Sequence, residues 1–208
     1  MHPHESTIQK QYNQLAHIYD WRWGRYIANT LAFLQAWAEI PPDAAVLDVA
    51  CGTGELERLL LNHNPDQAIV GVDLSEQMLS QARQKLSGYG NVSFHQATAS
   101  QLPFPDQSFD RVVSANAFHY FAEPGAALQE MRRVLKPGGT VVILDWCKDF
   151  LLCRVCDWAL KRLNPAYQQC YTEAELHGLL NAGGFCIDRT QRARFDVVWG
   201  LMAVSAVG

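Results

Sequence analysis

Basic charge is scarce in this chain. Its 208 residues hold 17 Lys and Arg against 21 Asp and Glu, a formal net charge of −4. Segment by segment, 1–43 carries 3 basic and 4 acidic groups, 44–145 carries 7 and 11, and 146–208 carries 7 and 6. No stretch resembles a surface that tracks phosphates, which argues against nucleic acid as a partner. No apolar run approaches the ~18–20 residues of a membrane-spanning helix. Met1 to Tyr12 is polar and lacks the charged-then-apolar pattern of a secretion signal. Six cysteines without such a pattern are expected to be free thiols in a reducing compartment, so a cytoplasmic location is expected. Repeats and low-complexity stretches are missing as well. What remains is a globular composition, 49% hydrophobic and 18% charged, with the length of one domain spanning 1–208. A chain of this size buries roughly 70% of its unfolded surface and needs no metal or disulfide to hold its core.

Three textures follow one another. Residues 1–43 are helical and aromatic (Tyr12, Tyr19, Trp21, Trp23, Tyr26, Phe33, Trp37) and form a helical cap that Pro41-Pro42 ends. Residues 44–146 alternate apolar runs with helical periodicity. Strands are predicted at 45–49, 68–72, 92–95, 111–115 and 140–144, with helices at 55–63, 75–86 and 124–135 between them. Ser75 is placed to cap its helix, and Pro137-Gly138-Gly139 to stop the last one. Strict alternation means βαβ units, a parallel sheet and right-handed crossovers: a doubly wound α/β sandwich. Residues 147–208 are less regular. They read as an amphipathic helix at 150–163, a helix at 173–182 capped by Thr172, and closing strands at 185–190 and 197–207.

The chemistry starts at Val46 to Glu57, V-L-D-V-A-C-G-T-G-E-L-E, which follows a strand and opens a helix. Gly52 and Gly54 let the backbone turn tightly and come close to a ligand. Asp73 ends the next strand about 20 residues on, where a carboxylate can accept both hydroxyls of a ribose. A carboxylate at a helix N-terminus is also favoured by the helix dipole alone, and Asp48 at a strand end could simply anchor its loop. A dinucleotide enzyme would carry a third small residue where this chain has Glu57, and an acid there disfavours a nearby pyrophosphate. A ligand with a ribose and no phosphate suits the loop better.

D-V-A-C-G-T-G at Asp48 to Gly54, V-G-V-D-L-S at Val70 to Ser75, Ala97 to Phe104 followed by F-D-R-V-V at Phe109 to Val113, and R-V-L-K-P-G-G at Arg133 to Gly139 stand in order. As a set they resemble the class I S-adenosylmethionine-dependent methyltransferases, in the small-molecule branch of the ubiquinone/menaquinone type, over about half the chain. A-x-x-Y-D at Ala16 to Asp20 is similar to that family's entry helix. The resemblance implies a Rossmann-like, mostly parallel seven-stranded sheet with an antiparallel last strand. It implies S-adenosylmethionine as cofactor, S-adenosylhomocysteine as product and a small-molecule acceptor, possibly apolar or aromatic. It also implies site roles. The backbone of Ala50, Cys51 and Gly52, followed by Gly54, faces the methionine moiety, and Asp48 supports its amino group. Asp73 takes the ribose, Leu74 and Met78 pack on adenine, Thr98 and the Ala99 N–H read the adenine edge, and Asn116 lies by the sulfonium. Two departures stand out. Ala50 replaces a usual glycine, a mild change because a methyl can fit. Thr98 replaces a usual acid and accepts a hydrogen bond more weakly.

Methyl transfer is an in-line displacement in which alignment supplies most of what the protein must contribute. A base is needed only for a poorly ionised acceptor. His119, Asp145 and the N-terminal Tyr19 and Tyr12 are the candidates, with the tyrosines also placed to close over the cofactor as a lid. His119 reads equally well as a packing residue. Phe150, Leu151, Leu152, Trp158 and Leu163 are candidates either for an apolar acceptor site or for core. Cys153 and Cys156 have C-x-x-C spacing, but inside a helix such pairs mostly pack, so no metal site is assigned. An arsenic(III) methyltransferase would use several such thiolates and is a competing reading. N-P-A-Y at Asn164 to Tyr167 follows the fifth strand rather than the fourth, where the motif of amino-methylating enzymes belongs, and is discounted. A cofactor-binding domain that has lost transfer and a nicotinamide oxidoreductase compete as well.

Overall fold

A computed structural model describes residues 3–195 and 199–208. The elements run α1 (Pro3–Ala38), β1 (Val46–Val49), α2 (Glu55–His63), β2 (Ile69–Asp73), α3 (Glu76–Lys85), β3 (Val92–Gln96), β4 (Phe109–Ala115), α4 (Pro124–Val134), β5 (Leu135–Trp146), α5 (Leu151–Leu163), α6 (Glu173–Ala182), β6 (Cys186–Phe195) and β7 (Trp199–Val207), with a 3-10 turn at Phe118–Tyr120 after β4. One seven-stranded sheet has the order β3-β2-β1-β4-β5-β7-β6, and β7 is antiparallel to both of its neighbours. Strand order reverses between β1 and β4, where ligands of such sheets bind beyond the strand carboxyl ends.

Local chemistry explains the element boundaries. Ser75 caps α3, its side chain accepting from the Met78 N–H at 3.2 Å. Thr172 and Glu175 form a reciprocal capping box on α6. Phe109 and Leu135 already pair, with a register shift before Arg111, so β4 and β5 begin earlier than their apolar runs and Pro137-Gly138-Gly139 lies within β5. β6 runs to Phe195, beyond the predicted 190. It is an edge strand rich in charge (Asp188, Arg189, Arg192, Arg194), which hides it from an apolar pattern and protects the edge from further pairing. The start of the last predicted strand, Val197, lies outside the described residues.

Two cores sandwich the sheet. On one face, Leu128, Met131 and Val134 of α4 join Leu176 and Leu180 of α6 against Leu47, Val112 and Ile143. On the other, Leu56, Leu60 and Leu61 of α2 and Leu79 and Ala82 of α3 meet Ile27, Leu31, Leu34 and Trp37 of α1. The N-terminal region is therefore one continuous helix with two jobs. Its C-terminal half is a sheet-covering layer, and only its N-terminal half lies over the strand ends as a cap.

Candidate functional site

The carboxyl ends of β1, β2, β3 and β4 open into a cavity enclosing about 840 Å³ of non-protein space, its mouth included. Tyr12, Tyr19, Ala50, Gly52, Asp73, Leu74, Met78, Thr98, Ala99 and Asn116 all stand on its wall. Asp48, Cys51, Gly54, His119 and Asp145 do not. The described wall also contains Glu5, Tyr120, Phe121 and Glu123, which sequence reading missed. It holds three carboxylates and no Lys or Arg, and so offers a pyrophosphate no cation to pair with.

Asp73 is the hinge of the site. Its Oδ2 accepts the Gly52 N–H at 3.0 Å and its Oδ1 the Ser75 N–H at 2.8 Å, tying the glycine loop to the β2–α3 turn. Burial raises its pKa, and these backbone donors offset only part of that rise. Each oxygen retains acceptor capacity for a second partner.

The two loop glycines divide their work. A Cβ on Gly52, at φ +56°, would meet no protein atom, and the residue lines the cavity. A Cβ on Gly54, at φ +78°, would sit 3.0 Å from the Ala82 Cβ. Gly54 thus serves helix packing, not the ligand. Ala50 adopts φ +66°. A methyl fits there in space, but the left-handed backbone strains it, by about 1–2 kcal/mol relative to an ordinary conformation. The substitution is less mild than its size implies.

Glu57 does not face the cavity. It is fully buried on α2, and a Cβ on Gly71 would lie 2.6 Å from its Oε1. Glycine at 71 makes room for the acid. Neither Glu57 oxygen nor Asp48 Oδ1 has a hydrogen-bond partner among the described residues. Burial first, and the nearby Asp73 second, push the Asp48 pKa up to about 8. Burial first, and Asp48 second, raise that of Glu57. Glu57 is therefore not what repels a pyrophosphate, contrary to the expectation from its position in the loop: the acid is sequestered, and the carboxylates on the wall carry that selectivity. Cys51 also turns inward, its Sγ beside Gly71, where burial raises its thiol pKa.

The N-terminal half of α1 is laced to the strand ends. The Gln9 amide donates to the Leu74 carbonyl at 2.9 Å, the Ser75 hydroxyl to Asn13 Oδ1 at 2.6 Å, and the Thr53 hydroxyl to Asp20 Oδ1 at 2.6 Å. The Thr98 hydroxyl donates to Glu5 Oε1. An acid from α1, 93 residues away in sequence, thus stands beside position 98. Tyr12 packs edge-on against Tyr19 and Tyr120 over the cavity. Burial raises the pKa of both Tyr12 and Tyr19, so they remain protonated and suit donors rather than bases.

Asn116, at φ +57°, lines the cavity, but its amide is engaged behind it. Trp146 Nε1 donates to the Tyr26 hydroxyl (2.8 Å), Tyr26 to Asn116 Oδ1 (2.7 Å), and Asn116 Nδ2 to Thr30 (3.1 Å). His119 is likewise locked in place. Its backbone N–H donates to Asp145 Oδ2 at 2.7 Å, its Nδ1 lies 2.6 Å from Asp145 Oδ1, and its ring stacks on Trp146. Both residues are buried, and the ring that reaches the wall from this turn is that of Tyr120.

Among the described residues, no group of three or more His, Cys, Asp or Glu is arranged for a metal. Burial raises the thiols of Cys147 (to about 11), Cys153 and Cys170, which keeps them protonated and disfavours arsenic chemistry. N-P-A-Y lies outside the cavity, its Asn164 capping α5 and its Tyr167 bonded to Asp157. Of the apolar candidates on 150–163, only Phe150 packs inward; Leu151, Leu152, Trp158 and Leu163 are exposed, neither core nor cavity wall.

Known proteins share this arrangement. A chain in the complex of the Haloferax volcanii Trm112 methyltransferase activator with a methyltransferase superposes with TM-score 0.83 at 21% identity, over 96% of each chain. A SAM-dependent methyltransferase from Aquifex aeolicus gives 0.65 at 25%, over 83% of this chain and 87% of that one. The fold is that of the S-adenosylmethionine-dependent methyltransferases. A methyltransferase domain family matches residues 47–143. The demethylmenaquinone methyltransferase of Thermus thermophilus is 44% identical over 102 residues, 49% of this chain and 46% of that protein. The chain thus covers about half the length of several such relatives. The 2-phytyl-1,4-naphtoquinone methyltransferase of Thermosynechococcus vestitus is 37% identical over 189 residues, 81% of this chain and 82% of that protein. The chain belongs to the class I S-adenosylmethionine-dependent methyltransferases of the quinone type.

Proposed function

We propose that residues 1–208 act as one unit that transfers a methyl group from S-adenosylmethionine to an apolar, quinone-type acceptor. The observation that carries this reading is the cavity wall: Asp73, Glu5 and Glu123 with no cation, beside the apolar Leu74 and Met78. A cationic nucleoside without phosphates fits such a wall. The relatives are named for quinone substrates, which supports the acceptor class. When bound, the cofactor supplies an activated methyl group on a sulfonium centre.

The protein's share is binding, orientation and exclusion of water. Asp73 takes the ribose hydroxyls. Leu74 and Met78 cover the adenine faces, while Thr98, Glu5 and the Ala99 N–H read its edge. The strained loop at Ala50 to Gly52 brings backbone close to the methionine moiety. Tyr12, Tyr19 and Tyr120 close the acceptor side, which raises the effective concentration of the aligned pair. His119 and Asp145 are positioning residues that hold the turn presenting Tyr120. Free cysteines and the absence of a long apolar helix among the described residues fit a cytoplasmic site of action. Incubation with methyl-labelled S-adenosylmethionine and a demethylated naphthoquinol bearing an apolar tail is expected to label the quinol. Labelling only of polar acceptors would refute the acceptor class.

A further inference from the structure

Helix α5 is built inside out. Its two buried residues are Cys153 and Asp157, while Leu151, Leu152, Val155, Trp158 and Leu163 are exposed, Leu151 by 72% and Trp158 by 61%. Leu151, Val155 and Trp158 recur at i, i+4 and i+7, one outward stripe. Arg154 and Lys161, seven residues apart, run along one flank of it, and the Arg162 guanidinium lies 4.1 Å over the Trp158 ring. All three cations are exposed. The helix's one acid, Asp157, is turned inward, where it accepts from the Tyr167 hydroxyl and the Cys170 N–H and pairs with Lys161. At the other end, Arg194 lies over the ring of Phe150, which caps α5, and lines a second cavity with Arg22 and Arg25.

An apolar stripe with an aromatic residue, flanked by cations on a helix whose own acid is buried, is the pattern of a helix lying in a membrane interface. It is a local exception in a chain of net charge −4. Asp149, exposed just before the helix, is paired with Arg192 and accepts the Glu173 N–H. We propose that α5 docks this protein on the surface of an anionic lipid bilayer, with Leu151, Val155 and Trp158 inserted at the headgroup level and Arg154 and Arg162 on the lipid phosphates. The docking stands on this geometry alone. Its use, collecting a lipid-dissolved acceptor, rests on the function proposed above. The route is short: Asn164, the C-cap of α5, lies next to Tyr120 on the cavity wall.

The test is co-sedimentation of the full chain with phosphatidylcholine vesicles, with and without phosphatidylglycerol. Binding is expected only to the anionic vesicles. It is lost in the Val155→Glu/Trp158→Glu variant and weakened roughly five-fold by Arg154→Gln, the factor expected for one cation near an anionic surface. Because these residues are exposed, the variants are expected to keep the parent's Tm and its affinity for S-adenosylhomocysteine. Failure of the parent to bind anionic vesicles, or equal binding by the double variant, overturns the proposal. So does a dimer that light scattering shows dissolved by Trp158→Glu in a protein that ignores vesicles, since the face is then a contact between copies. Vesicle binding by a protein that fails to bind S-adenosylhomocysteine would leave the docking intact and sink the methyltransferase reading instead.

Discussion

Ala50 and Glu57 are residues whose environment contradicts their chemistry, and each makes a measurable claim. Ala50 occupies a left-handed backbone that glycine adopts freely. Ala50→Gly is expected to raise stability by about 1 kcal/mol, the strain relieved less the extra freedom of the unfolded chain. Urea unfolding checks this, and a destabilised variant would show the strain to be absent. Glu57 is a buried acid whose pKa is raised in the folded state. Folding is therefore unaffected at low pH, where both states are protonated. It weakens as pH rises above the ordinary carboxylate range, because the unfolded state ionises first. With Asp48 shifted up to about 8, the loss extends across neutral pH. Glu57→Gln is expected to raise Tm near pH 8 and to change it little near about pH 4, below which both forms are neutral. Equal effects at both values would count against the burial argument. Neither feature was legible in the sequence. The motif shows which residue departs, but only the backbone angle at Ala50 and the space left by Gly71 show what the departure does.

Elements joined by local periodicity were readable, and those joined by distant contacts were not. The strands flanking the glycine loop and the helix at 55–63 stand where the apolar pattern puts them, because each is buried by neighbours in a repeating βα order. The role of α1 was only half visible. Its aromatic stripe marks a buried helix, yet its reach across the cavity depends on Glu5, Gln9, Asn13 and Asp20 meeting strand ends 33 to 93 residues away. A polar rung spaced i, i+4, i+8 at Glu5, Gln9 and Asn13 was the available signal. The apolar run on α5 misled in the other direction, since a periodic stripe does not say which way it faces. The 3-10 turn at Phe118–Tyr120 also depends on a distant partner: Asp145, at the end of β5, fixes both the backbone and the ring of His119. His119→Ala is expected to lower kcat several-fold while leaving its pH dependence unchanged, because the turn that presents Tyr120 shifts. A pH–rate profile that loses a limb near neutrality in this variant would instead make His119 the base.

At the scale of the molecule, charge and topology together narrow the chemistry. A net charge of −4 could belong to many proteins, but the sheet gathers acids rather than bases at the β1/β4 crossover, where the ligand must sit. That gathering is visible only once Glu5, Asp73 and Glu123 are brought together from three parts of the chain. Everything proposed for the site depends on Asp73 and its cavity holding a phosphate-free nucleoside. The decisive experiment is titration calorimetry of the parent chain and of Asp73→Ala with S-adenosylhomocysteine, with NADH as control. Binding of S-adenosylhomocysteine alone is expected, weakened by about 1.5–3 kcal/mol in a variant that still unfolds cooperatively. Unchanged affinity in Asp73→Ala, or binding of NADH in place of S-adenosylhomocysteine, would refute the assignment.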